Sequence, residues 1–229
     1  MNLSEIDTSV YYPVTVPSTK FKTKYRPFRV REERALLTAQ ESEDSAVMLN
    51  TLESIVRACV VKCPKDLTTF DVEYLFLQLR AKSVGEMADV TSECTSCAEK
   101  NPIQIDITKA TIIGNDQPTR LKLSEKLIVD MRYACIGDLG NMINNEEDAD
   151  NIAIASSIKT IYFGDTVFHV DEADPADVRE FILNRSDDEM KPMVQFIENT
   201  PTVVLEHKYA CKKCGAENKI RIRNLTDFF

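Results

Sequence analysis

Apolar and polar positions in this chain change period near residue 94. Between residues 30 and 85 the apolar side chains recur at three- and four-residue intervals, the repeat of helices with one buried face. In VREERALLTAQES the charges come first and the apolar residues follow, which predicts a short helix from Val30 to Glu41. In SEDSAVMLNTLESIVRACVVK, the residues Val47, Met48, Leu52, Ile55, Val56, Cys59 and Val60 share a stripe, with Asp44 or Ser45 placed to cap its start. A third helix, FDVEYLFLQLRAKS, follows Thr68 and Thr69, and Gly85 offers the left-handed turn that ends it. Short connections imply that these helices pack as neighbours. Beyond Cys94 the period shortens to two in IQIDI, TRLKL and LIVDM, which predicts a small sheet between about 103 and 133. NIAIASSIKTIYF reads as a helix, Asp174 and Pro175 open another over PADVREFILNR, DDEMKPMVQFIEN reads as one more, and TVVLEHKYA is a closing strand.

The fold class this order predicts is α+β: a helical N-terminal half and C-terminal helices around a small antiparallel sheet. Prolines 13, 17 and 27 make residues 1–19 an extended arm, and residues 20–229 read as one domain, a size that buries a core unaided. The acidic stretch NNEEDAD, residues 144–150, lacks the glycine and ligand spacing of a calcium loop and reads as solvated charge.

Charge narrows the function classes. The net charge of -9 argues against general nucleic-acid binding, which needs clustered cations. The local exception runs from Lys20 to Arg34, where cations alternate with aromatics. Its Lys20, Lys22, Lys24, Tyr25, Arg26 and Phe28 are candidate partner-binding residues, while the blander reading docks the aromatics on the core and leaves the cations in water. The opening MNLSEIDTSV resembles neither a signal nor a transit peptide, and no apolar run approaches the ~20 residues of a membrane span. A cytoplasmic protein with no membrane partner is expected.

Four of the seven cysteines form two C-x-x-C words. Laid together without a gap, CTSCAEKNPIQIDI from Cys94 and CKKCGAENKIRIRN from Cys211 share both cysteines and an asparagine four residues after the second, Asn101 and Asn218. They also share alternate isoleucines, Ile103 and Ile105 against Ile220 and Ile222. One such turn supplies two soft ligands and a closed tetrahedral zinc site needs four, so Cys94, Cys97, Cys211 and Cys214 are the expected ligands of a split zinc-ribbon-like site over 94–107 and 211–224. Empty thiols, disulfides and thioredoxin-type redox chemistry are the rival readings. Cys59, Cys63 and Cys135 lie in or beside apolar segments and read as small core residues.

No catalytic residues are expected. His169 and His207, the only histidines, sit in strand-like stretches without a recognisable relay, and no phosphate loop, nucleophile elbow or zincin motif occurs.

Three stretches carry a resemblance: PSTKFKTKYRPFRVREERALLTAQES, FDVEYLFLQLRAKSVGE and the CTSC that follows. Together, from about Pro17 to Ile107, they resemble the baseplate hub assembly protein family of T-even-like contractile-tailed bacteriophages. The most specific words are Arg26, Pro27 and Phe28 with Glu32, Glu33, Leu36 and Leu37, and the run from Leu79 to Ser83 with Gly85 and Glu86. The resemblance implies a non-enzymatic hub subunit or assembly factor whose partners are other hub or tail proteins. It implies a place in the infected host cytoplasm during assembly, or in the virion tail baseplate. A nucleic-acid-binding zinc-ribbon accessory protein is the alternative.

Overall fold

The computed structural model describes residues 8–42, 44–114, 117–138 and 149–222. Its order of helices and antiparallel strands is α+β. The chain forms two compact units: residues 1–113 with 202–229, and an inserted segment, residues 114–201. The sequence, which reads as one domain from 20 to 229, carries no linker composition at either boundary. Among the described residues the strands form four separate antiparallel sheets.

The first unit opens with β1 (Tyr12–Thr15) and β2 (Lys22–Tyr25), a hairpin in which Tyr12 faces Tyr25. Val14, Val16 and Tyr25 are buried, so residues 12–15 of the expected arm are a paired strand with apolar side chains turned inward. Three helices follow: α1 (Val30–Glu41), α2 (Ser45–Cys59) and α3 (Thr69–Ser83), each within a residue of its expected start. Asp44 caps α2 by accepting from the amides of Ala46 and Val47, and Thr68 caps α3 through the amide of Asp71. Asp71 answers the Thr68 amide at 3.0 Å and also accepts from the amide and hydroxyl of Ser18, so one buried carboxylate ties the N-terminal hairpin to α3. Leu52, Val56, Val72, Phe76 and Leu79 are the centre of this helical core.

Two further hairpins complete the unit. β3 (Met87–Glu93) pairs with β4 (Lys100–Asp106), and β10 (Thr202–Ala210) pairs with β11 (Glu217–Ile222) on one side and β5 (Thr111–Ile113) on the other. Alternation cannot name a strand's partner. The stretch from 103 to 133, expected to form one sheet, is therefore distributed over three.

The inserted unit contains the sheet β6-β7-β8-β9, made of Arg120–Lys122, Leu127–Met131, Ile158–Phe163 and Thr166–His169. Helices α4 (Ala149–Ser157), α5 (Pro175–Leu183) and α6 (Asp187–Glu198) belong to it. Val129, Ile154, Ile158, Met193 and Phe196 form its core, and Tyr133 stacks on Phe196 at 5.1 Å. Asp174 caps α5 ahead of Pro175, as its sequence predicts. The expected helix NIAIASSIKTIYF divides at Ser157: its first half is helix, and the β-branched IKTIYF is β8. Residues 144–148 of the acidic stretch lie outside the described residues.

Candidate metal centre

Each C-x-x-C word is the tip of a hairpin. The β3-β4 ladder ends at the pair Glu93 and Lys100, and the β10-β11 ladder ends at Ala210 and Glu217, leaving six residues in each tip. The two tips have one backbone design. The first cysteine's amide donates to a carbonyl five residues on, Cys94 to Glu99 and Cys211 to Ala216, both at 2.9 Å. Its carbonyl accepts from the amide four residues on, Ala98 and Gly215, again both at 2.9 Å. That fourth residue has φ of 55° in Ala98 and 72° in Gly215, a region costly for any residue with a Cβ. Glycine suits it; alanine tolerates it.

Folding brings the two tips face to face. Cys94 Sγ lies 3.7 Å from Cys214 Sγ, Cys97 Sγ lies 3.7 Å from Cys211 Sγ, and all four sulfurs fall within 4.8 Å of one another. Sulfurs bound at about 2.3 Å to one tetrahedral zinc stand about 3.8 Å apart, so donor set and spacing both fit such an ion. Cys94 and Cys211 are buried, Cys97 is half-buried, Cys214 is exposed, and all are free thiols.

The paired asparagines cross between the tips. Asn101, which follows the first word, donates from Nδ2 to Cys211 Sγ at 3.6 Å and accepts the Lys212 amide on Oδ1 at 2.9 Å. Asn218, which follows the second, donates to Cys94 Sγ at 3.4 Å and accepts the Thr95 amide at 3.0 Å. Both side chains are buried. Each also donates to its own tip, Asn101 to Glu99 O and Asn218 to Ala216 O. Every half-site is thus positioned by the other's asparagine. The shared Asn was visible in the sequence, but its reach across to the opposite tip was not.

These donors set the charge of the sulfurs. The Ser96 amide foremost, and then Asn218, lower the Cys94 thiol to about 6. The amides of Cys214 and Lys213, with Asn101, lower Cys211 as well. For Cys97 the Glu99 amide acts downward, but its contact with Cys214, burial and its contact with Cys211 outweigh it and push the thiol to about 12. Four sulfurs this close resist full ionisation without a cation among them. Lys213 pairs with Glu99 at 2.9 Å from one tip to the other, and farther along the β10-β11 ladder Lys219 and Arg221 both pair with Glu206. Cys59 stands apart as the last residue of α2, buried, with its thiol pushed up to about 11 by that burial.

The candidate partner-binding residues divide into two groups. Lys20, Lys22 and Lys24 are exposed, with the Lys24 ammonium 4.8 Å from the centre of the Tyr11 ring. Tyr25 is buried, and Phe28 lies with its ring 5.5 Å from Phe76. Arg26 is buried in an ion pair with Glu32, Nη2 to Oε1 at 2.9 Å, and also donates to the carbonyls of Pro27 and Ala58. His169 is exposed on β9 and His207 half-buried on β10.

A family model described as T4 bacteriophage base plate protein matches residues 9–229, nearly the whole chain. The chain belongs to this base plate family. It is 25% identical over 207 residues to the baseplate hub assembly protein gp26 of Enterobacteria phage T4, an alignment spanning 89% of this chain and 90% of that protein. No solved structure matches. The family match runs through both halves of the four-cysteine cluster and through the segment that holds Arg26 and Glu32. In this base plate family member no helix among the described residues is long and apolar enough to cross a membrane.

Proposed function

We propose that this chain is a hub subunit or hub assembly factor of a phage tail baseplate, acting through protein contacts and without catalysis, with one zinc ion held by Cys94, Cys97, Cys211 and Cys214. The observation that carries the reading is the base plate family match over residues 9–229, joined to a near full-length alignment with a baseplate hub assembly protein. The metal assignment is supported by four sulfurs within 4.8 Å of one another, two pairs of them at 3.7 Å, with amide donors already directed at Cys94 and Cys211. Four protein ligands leave no open position, so the ion would be structural. It would join the hairpin that ends the N-terminal helical segment to the hairpin that returns after the inserted unit. Exposed Lys20, Lys22 and Lys24, with the exposed Phe21, are the part of the N-terminal hairpin open to a partner.

Coexpression with the hub proteins of the same phage, followed by native mass spectrometry, tests the assignment. A defined complex with at least one of them is the expected result; a chain that remains alone with every hub protein contradicts it. The nucleic-acid alternative predicts steeply salt-dependent binding to DNA or RNA. The ion pairs that occupy Lys213, Lys219 and Arg221 work against it.

A further inference from the structure

The sheet of the inserted unit ends on β9, which pairs with β8 and has no other strand neighbour among the described residues. The two strands meet at a two-residue turn, Gly164 and Asp165, with Gly164 at φ 59°. In such a hairpin the Phe163 and Thr166 pair exchanges hydrogen bonds and the next pair, Tyr162 and Val167, does not. The main-chain N–H and C=O of Val167 and of His169 therefore point away from β8. All four β9 residues are exposed, Val167 at 48% and Phe168 at 51%. Proteins ordinarily block such edges.

The register puts Ile161 opposite Phe168 and Leu127 opposite Phe163, so these four share one face. With Val178 and Phe181 of α5 they line an apolar groove of about 440 Å³ alongside the open edge. The segment from Gly164 to Val178 is acidic: it holds Asp165, Asp171, Glu172, Asp174 and Asp177 and no lysine or arginine. Asp177 itself lines the groove, and Arg185, its one cation, is paired with Glu189 at 3.6 Å.

We propose that β9 and this groove receive an extended segment of another protein as a fifth strand, with its apolar side chains in the groove and its lysines or arginines against the acidic rim. Main-chain bonds to Val167 and His169 supply the pairing, and alternate side chains supply the selectivity. This rests on the reading that the chain works through protein contacts, and it names the surface.

The test titrates the full-length protein with a synthetic ten-residue peptide of alternating valine and lysine, following binding by calorimetry and backbone NMR. Val167→Pro removes only an outward N–H, and Phe168→Ser removes the exposed ring; circular dichroism checks that each still folds. Binding that shifts the β9 and α5 resonances, weakens with salt, and falls at least tenfold in either folded variant is expected, as is no binding when glutamate replaces the peptide's lysines. Equal binding by wild type and a folded variant overturns the proposal, as does no binding to wild type. Self-association of the chain that Val167→Pro abolishes overturns it too, in favour of a second copy as occupant. If a hub protein still binds Val167→Pro as it binds wild type, this surface falls while the assembly role stands.

Discussion

Replacing Glu32 with glutamine tests how the N-terminal segment is held. Glu32 is 5% exposed and accepts four hydrogen bonds: from Arg26 Nη2 at 2.9 Å, Arg26 Nη1 at 3.3 Å, Arg31 Nε at 2.7 Å and the Arg29 amide at 2.8 Å. Burial alone would raise its pKa, but the Arg26 pair, the Arg31 pair and the Arg29 amide together lower it from 4.5 to about 2. A depression of that size corresponds to roughly 3 kcal/mol of preference for the charged form in the folded state. Glu32→Gln keeps the shape and removes the charge, leaving Arg26 buried without its counter-ion, so a loss of about 2–4 kcal/mol is expected at pH 7. The pKa is lowered on folding, so the stabilisation is complete above about 4.5 and disappears as pH falls from there towards 2. Urea unfolding of both proteins between pH 7 and pH 3, with chelator present throughout to remove any metal contribution, should show two stability curves that converge on acidification. A variant within about 0.5 kcal/mol of wild type at pH 7, or a gap that stays constant as pH falls, refutes the reasoning.

Three other substitutions probe the paired hairpins. Asn218→Asp keeps an acceptor for the Thr95 amide but loses the N–H directed at Cys94 and adds a negative charge beside it, so zinc affinity measured by chelator competition should fall about ten- to a hundredfold. Unchanged affinity would show that the crossed asparagines do not tune the sulfurs. Gly215→Ala places a Cβ at φ 72° and should cost about 1–2 kcal/mol in thermal or urea unfolding. Ala98→Gly relieves the same conformation on the other tip, partly offset by greater unfolded-state freedom, and should be neutral or stabilise by up to about 1 kcal/mol.

The helical half of the fold was legible because its signals are local. Asp44 and Thr68 cap the helices whose apolar stripes follow them, and Asp174 with Pro175 does the same for α5. The strands in IQIDI, TRLKL, LIVDM and TVVLEHKYA were legible as strands but not as partners, since ladders such as Thr202 to Ile113 join residues that no local pattern connects. β3 went unread because MADVTSE is mostly polar, and only its pairing with β4 makes it a strand. The boundary between α4 and β8 carries no glycine, proline or cap, so the helix period ran on through it. The meeting of Cys94, Cys97, Cys211 and Cys214 was legible because the device is written twice in matching words. The arm misled in a different way. Arg26 looks like a surface cation until Glu32, six residues on, is seen to follow it into the interior.

The most direct measurement is the metal content of the purified full-length protein, by elemental analysis and native mass spectrometry, beside the Cys94→Ser/Cys211→Ser double variant. One zinc per wild-type chain, lost in the variant together with protection of Cys97 and Cys214 from alkylation, is the predicted result. Wild-type protein that stays metal-free after zinc is supplied, with all four thiols open to alkylation, would contradict it.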